Sequence, residues 1–393
     1  MGCSGSKSEV VSKDRQRLSV GYVDGKEDEP AAEQAGNAKE EDRGLMAQFD
    51  KESLLDLIEK VEAEAGDDGG ARRSQRKSTL SSVTDDSTTS FANKQLQQLG
   101  DQLDAQSSGL GFTCRKGLKP ESPNQDSWFV LMMDKFSMFG VFDGHGQKGH
   151  HVSNMVKDIL PKLVITDARC DTQEWGLVLN DAFVKTQEIV TASDKLQKVN
   201  AQMSGTTATV AIVDKISNIV HLAHVADSTA CWATKDTENG EWTCVAVTRD
   251  HKPNLKDEKA RIEKAGGRVV WDGACNHRVY AKNARYPGLN MSRCLGDLLG
   301  HNQCGISCIP EIKNVDIDME KEQRLLLCSD GVWEFLSAQD ASDIVKKFSA
   351  EQAQRAADTL AKAAWDRWIK EEGGAVVDDI TVLLVYLGKN SGS

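Results

Sequence analysis

The sequence predicts an α+β fold, a four-layer α-β-β-α sandwich with helices covering two stacked, mostly antiparallel sheets. Two observations lead there. After about residue 94, short apolar runs recur, each of strand length and punctuated by polar and turn-forming residues. Between groups of these runs lie longer segments whose apolar residues return at helical spacing.

In order along the chain, the runs at 128–133, 138–142, 207–213, 219–225, 324–328 and 380–387 read as strands. Segments 149–164 and 173–192 form one pair of predicted helices, and 341–347 with 350–370 a second. Residues 1–93 read differently. They are rich in Ser, Glu, Asp, Gly and Lys, and nearly all Trp, Phe and Tyr lie beyond them, so they cannot supply a core. The expected organisation is a mostly disordered regulatory arm over 1–93 and one globular domain over 94–393.

Within the arm, Ser53-Leu54-Leu55-Asp56 resembles a capping box, and Leu54, Leu57, Ile58 and Val61 follow at helical spacing until Gly66. One short amphipathic helix is expected there, docked on the chain's own domain or presented to a partner. The Ser/Thr-rich run at 78–90, after Arg72-Arg73-Ser74, suits kinase recognition and equally suits a linker. The first residues, Met1-Gly2-Cys3-Ser4-Gly5-Ser6, match the N-myristoylation pattern, with Gly2 as acceptor once Met1 is removed. Cys3 is the expected palmitate acceptor, and a second chain turns marginal membrane binding into a stable anchor. That predicts attachment to the cytoplasmic face of a membrane, most simply the plasma membrane, with some cytosolic pool.

Charge and cysteine usage exclude other classes. A net charge of -12 without a cationic stripe argues against nucleic acid as partner. The 10 cysteines form no CxxC pair, which disfavours both a zinc framework and a disulfide framework. No apolar run approaches the roughly 20 residues that cross a bilayer.

The chemistry sits at strand ends. Asp143 follows the run ending at Phe142, Asp227 follows His224-Val225-Ala226, Asp330 follows Cys328-Ser329, and Asp378 precedes the last run. A carboxylate at the tip of a buried strand is rigidly aimed and partly desolvated, so four together call for a cation. One alone is more often a turn former. Oxygen ligands with no His/Cys cluster suit hard ions, so magnesium or manganese is expected, at least two per chain. Two such ions, about 3.5–4 Å apart, orient and deprotonate a water for attack on phosphorus. In Asp143-Gly144-His145-Gly146, His145 reads either as a turn histidine or as a proton donor, and the adjacent Asp143 favours the donor. Ser204-Gly205-Thr206-Thr207 lacks the lysine spacing of a phosphate-binding loop and reads as a tight turn opening a core strand.

The ordered set Asn124-Gln125-Asp126, Phe142-Asp143-Gly144-His145-Gly146, Ser204-Gly205-Thr206-Thr207-Ala208, Ala226-Asp227-Ser228, Ser292-Arg293-Cys294-Leu295-Gly296-Asp297, Ser329-Asp330-Gly331-Val332-Trp333 and Asp378-Asp379-Ile380-Thr381 resembles the protein phosphatase 2C family, the metal-dependent protein serine/threonine phosphatases. The resemblance runs from about Gly111 to Leu387 and implies a dinuclear metal centre in a cleft at one end of the sandwich. It implies that Asp143 bridges two ions, that Gly144 offers its carbonyl, that Asp330 and Asp378 complete the first site, and that Asp126 holds a metal-bound water. Asp227 matches the ligand of a third, weaker metal, His145 matches the proposed general acid, and residues 253–286 match a variable flap that helps select substrates.

The chain departs from the family pattern at four positions. Gln125 stands where Glu is frequent, Lys119 aligns with a phosphate-gripping Arg, Thr229 stands where Arg is common, and Glu334 replaces an Asp of the third metal site. The expected function is hydrolysis of phosphoserine and phosphothreonine in phosphorylated protein substrates by a membrane-tethered monomer. The rival is a membrane-anchored scaffold without turnover.

Overall fold

The computed structural model describes residues 76–83, 91–100 and 108–389. Gly2, Cys3, the helix expected near Ser53 and residues 84–90 of the Ser/Thr-rich run lie outside the described residues.

Two antiparallel sheets stack face to face. Strands β1 (Arg76–Ser82), β2 (Leu96–Gly100), β4 (Asp126–Met133), β5 (Phe136–His145), β7 (Ala208–Asp214), β8 (Ile219–Val225) and β15 (Glu311–Asp316) form the first in the order β15-β8-β7-β5-β4-β1-β2. The two-residue strands β6 (Gly205–Thr206) and β14 (Leu295–Gly296) extend the end of β5. The second sheet runs β10-β9-β16-β17-β3, from β3 (Leu110–Arg115), β9 (Thr229–Lys235), β10 (Trp242–Ala246), β16 (Glu322–Cys328) and β17 (Ile380–Gly388).

The strands read as continuous apolar runs because both of their faces are buried. Along β4, Trp128 and Val130 enter the core between the sheets, while Phe129 and Leu131 turn to the outer helices. Along β17, Leu383 and Val385 enter the central core, while Val382 and Leu384 face out. That period of two is the pleat itself. Helices α1 (Gly149–Thr166) and α2 (Trp175–Lys195) cover the first sheet through Val156, Leu160, Leu179 and Phe183. Ahead of the second pair come α3 (Lys256–Lys264), α4 (Leu298–Cys304) and the single turn α5 (Asp330–Trp333). Helices α6 (Ala338–Val345) and α7 (Ala353–Glu371) cover the second sheet through Val345, Leu360 and Trp368. Ser337 starts α6 with a capping box: its hydroxyl accepts the Asp340 amide at 3.1 Å, and the Asp340 carboxylate accepts the Ser337 amide at 3.1 Å. The four layers are those expected.

Part of the segment read as arm is folded. Strand β1 lies between β4 and β2, so the folded body reaches back at least to Arg76, ahead of the boundary placed at 93/94. Composition hid it, because this strand has one large apolar side chain, Leu80, which is buried in the central core. Ser82 adds two polar ties: its hydroxyl accepts the Trp128 amide at 3.1 Å, and its backbone carbonyl accepts from Lys157 Nζ at 2.6 Å.

Residues 253–286, expected to match a flap, hold helix α3 and strands β11 (Gly267–Trp271) and β12 (His277–Ala281), and β13 (Pro287–Leu289), just beyond them, completes a small three-stranded sheet. It has its own minor core, in which Ile262 and Val279 meet Cys294 and Ile306. Among the described residues, no helix is long and apolar enough to cross a membrane.

Candidate active site

The antiparallel register of β4 and β5 sets Asp126 opposite Asp143. Asp126 is fully buried, and its Oδ2 accepts from the Ser329 hydroxyl at 2.8 Å and the Thr381 hydroxyl at 2.7 Å. Those two hydroxyls belong to the other sheet, at the ends of β16 and β17. One carboxylate therefore ties the sheets together at one end and brings their neighbours with it: Asp330 beside Ser329, and Asp378-Asp379 just ahead of Thr381.

Asp379 is a strut with no exposed surface, accepting the amides of Gly117 and Gln125, each at 2.8 Å. The backbone packs so closely here that a Cβ on Gly331 would stand 2.0 Å from the Asp379 carbonyl oxygen. Lys119 enters the cluster from the loop after β3, with Nζ 2.5 Å from Asp378 and 3.4 Å from Asp379.

The electrostatics show an excess of negative charge. Burial raises Asp143 well above the usual carboxylate range, and the charges of Asp126 and Asp330 raise it further, against Lys119. Burial, followed by the charge of Asp379, lifts Asp126 to about 6 despite Lys119 and the two hydroxyls. Burial works against the Lys119 ammonium, but Asp378, Asp379, Asp143 and Asp126 outweigh it and hold it well above its ordinary value. Lys119, Lys116 at 3.7 Å from Asp379, and Lys94, which donates to the Asp126 carbonyl, are still outnumbered by the carboxylates of Asp126, Asp143, Asp330, Asp378 and Asp379. Asp126 Oδ1 is buried without a hydrogen-bond partner among the described residues, an orphaned acceptor that fits a cation or its water. Oxygen donors, surplus negative charge and an open lone pair together fit a hard divalent ion.

The other expected residues fall around this centre. Gly144 sits where the chain crosses itself: a Cβ there would meet the Gly149 carbonyl at 2.5 Å and that of Gln125 at 2.7 Å. The Gln125 amide donates to the Gly146 carbonyl at 2.7 Å, so it braces the loop carrying His145. Asp227 is buried on an ion pair with Lys252 at 2.5 Å. Burial opposes its ionisation, but the Lys252 charge and hydrogen bond outweigh that and lower it below the usual value. Thr229 donates its hydroxyl to Asp250 at 2.7 Å, a nearby acid that sequence reasoning missed. Glu334 ends α5, with its amide donating to the Asp330 carbonyl at 2.9 Å.

Asp297 was missed too. Its Oδ2 lies 2.5 Å from His145 Nε2, and the Cys294 thiol donates to the same oxygen at 3.2 Å. A Cβ on Gly205 would stand 2.1 Å from that oxygen, so the meeting requires glycine at 205. Burial lowers the pKa of His145, yet the charge and hydrogen bond of Asp297 outweigh it and raise the imidazole above its ordinary value. The sequence expectation of no His/Cys cluster needs correction. His145, Cys294 and Asp297 carry ligand atoms within 4.8 Å of one another, a group assembled only when β14 pairs with β6 at the end of β5. The signal was present in the run ending Cys294-Leu295-Gly296-Asp297, but its partner lies far away in sequence.

Residues 120–372 match the family model described as Protein phosphatase 2C. The chain is 34% identical over 273 residues to probable protein phosphatase 2C 61 of Arabidopsis thaliana, covering 68% of this chain and 81% of the relative. It is 35% identical over 256 residues to probable protein phosphatase 2C 72 of the same plant, covering 63% and 76%. The fold is similar to the crystal structure of serine-threonine phosphatase 2C from Toxoplasma gondii, with TM-score 0.63, 20% identity, and coverage of 78% of this chain and 99% of that one. With its family model matched over more than half its length, and with these relatives, the chain belongs to the protein phosphatase 2C family.

Proposed function

We propose that the chain hydrolyses phosphoserine and phosphothreonine in protein substrates, with magnesium or manganese as cofactor. The observation that carries this reading is the interlock of Asp126 with Ser329 and Thr381, which gathers acids from both sheets at one end. In this reading Asp143, the Gly144 carbonyl, Asp330 and Asp378 hold two ions, while Asp227 and Glu334 serve a third, weaker site. Gln125 supports the second ion only indirectly, because its amide holds the Gly146 carbonyl. When bound, such ions draw charge from phosphoryl oxygens and lower the pKa of a water.

The chain's own groups do the rest. Asp126 Oδ1 is the acceptor for a water proton. His145 keeps Nε2 on Asp297, leaving Nδ1, which has no hydrogen-bond partner among the described residues, as the nitrogen that passes a proton to the departing seryl or threonyl oxygen. Asp297 is a positioning residue: it fixes the ring orientation and favours the imidazolium. Lys119 steadies the metal-free carboxylates and offers its charge to a substrate phosphoryl group. A scaffold without turnover has less support, since Asp143, Asp330 and Asp378 are all retained.

The membrane tether belongs to the same proposal. Gly2 is the myristate acceptor and Cys3 the palmitate acceptor, which together hold the enzyme on a cytoplasmic membrane face as a monomer. Activity is tested by manganese-dependent phosphate release from a phosphothreonine peptide, with Asp143→Ala alongside. The wild type is expected to turn over and the variant to be inactive; equal rates would refute the assignment.

A further inference from the structure

Beside the oxygen-only cluster, the group His145, Cys294 and Asp297 has a different chemistry. Its three ligand atoms, an imidazole nitrogen, a thiol sulfur and a carboxylate oxygen, lie within 4.8 Å of one another. Cys294 and Asp297 have no exposed surface. Asp297 Oδ1 is buried without a hydrogen-bond partner, and the only side chains bonded to this carboxylate among the described residues are His145 and Cys294. His145 is the charge partner on Oδ2, and Oδ1 remains a buried acceptor open to a cation.

The frame around it is rigid. Asp297 has φ of 43°, in the left-handed region that non-glycine residues avoid, and its amide is tied to the Ser204 carbonyl at 3.0 Å. Gly205 leaves the space that lets Asp297 and His145 meet. A mixed nitrogen, sulfur and oxygen set of this kind suits a borderline-soft ion and discriminates against magnesium, which prefers oxygen.

We propose that His145, Cys294 and Asp297 form a binding site for a zinc-class divalent ion, separate from the hard-ion cluster, and that filling it silences the enzyme because the ion replaces the proton on His145 Nε2 and leaves Nδ1–H on a neutral ring, a far weaker proton donor than the imidazolium. The silencing half rests on the reading of His145 as proton donor; the binding half does not. Binding exchanges protons for the ion. The Cys294 thiol proton and the proton of the His145–Asp297 hydrogen bond leave to solvent, and no electron moves. A divalent ion deprotonates a coordinating thiol outright, which overcomes the burial that otherwise keeps Cys294 protonated. The site sorts ions by chemistry, so hard ions support the reaction at one cluster and soft ions stop it at the next.

The test uses the full chain with magnesium saturating. Zinc K-edge absorption of the wild-type complex is expected to show one sulfur scatterer at about 2.3 Å together with nitrogen or oxygen neighbours. Titration with cobalt(II) is expected to give a near-ultraviolet thiolate-to-cobalt band that Cys294→Ser lacks. Zinc is expected to inhibit the wild type, with Cys294→Ser needing at least ~10-fold more zinc for the same fractional inhibition. Absence of a sulfur scatterer in the wild type overturns the site, whether or not the variant folds. A cobalt band that survives Cys294→Ser puts the ion on another thiol and overturns it equally. Sulfur ligation without inhibition overturns the silencing. The spectra require no turnover, so failure of the phosphatase reading and failure of this site give different results.

Discussion

At the scale of single residues, the site depends as much on missing atoms as on acids. A Cβ at position 205 would stand 2.1 Å from Asp297 Oδ2 and 2.8 Å from His145 Nε2, distances that side chains do not tolerate. Gly205→Ala is therefore expected to displace His145 and lower kcat by about 10²-fold, the cost typical of an ångström-scale misplacement. Steady-state kinetics at saturating manganese check this, and a wild-type kcat would contradict the role given to the His145–Asp297 pair. Asp297 also shows what a linear reading misses. Its motif was in plain view, but its partner is fixed by a two-residue strand pairing that no periodicity announces.

Two buried histidines carry a separate prediction. His224 stacks on His251 at 4.9 Å, and burial pushes His224 down to about 4. A histidine whose folded pKa lies below its unfolded value of about 6.5 favours the unfolded chain once protons are plentiful. Its contribution is complete above about 6.5 and is lost as pH falls toward 4, by up to about 1.4 kcal/mol per pH unit. Urea unfolding at pH 7 and pH 5 is expected to show a smaller pH-dependent loss for His224→Gln than for the wild type; equal losses would show that His224 is not held neutral by burial.

At the scale of elements, strands rich in large aliphatic side chains were legible, while others were missed, among them β3 and β9, which are buried but built largely from small or polar residues such as Gly111, Thr113, Ala230, Cys231 and Ala233. The runs at 219–225 and 324–328 stand out because every second side chain enters one core and the alternate ones enter another. Strand β10 is an edge strand whose residues are mostly apolar but of which only Cys244 is buried, and β1 has one large apolar side chain, Leu80, among polar residues, so neither shows the alternation of buried apolar residues that marks a strand. Leu327 is fully buried between the sheets, and Leu327→Ala is expected to destabilise the fold by about 2–5 kcal/mol, read from the shift in denaturation midpoint. The capping box of α6 is a smaller matter: Ser337→Ala is expected to cost about 1 kcal/mol by the same measurement, and an unchanged midpoint would show the cap to be redundant.

At the scale of the whole molecule, two stacked sheets act as a clamp whose end is set by Asp126. The four layers and most of the acids were readable because carboxylates at strand tips repeat a pattern. Asp379 was visible only as the second half of a doublet, and its task of receiving the Gly117 and Gln125 amides depends on contacts across the molecule. The proposed membrane attachment rests on Gly2 and Cys3, which lie outside the described residues. Gly2→Ala is expected to move the protein from the membrane to the soluble fraction without loss of manganese-dependent activity, and persistence at the membrane would refute acylation as the tether.

The central claim is that acids from both sheets jointly hold hard divalent ions. Anomalous diffraction from crystals soaked in manganese tests it most directly. Two peaks about 3.5–4 Å apart, in contact with Asp143 and flanked by Asp330 and Asp378, are predicted. A soaked crystal with no manganese among these carboxylates would contradict the account.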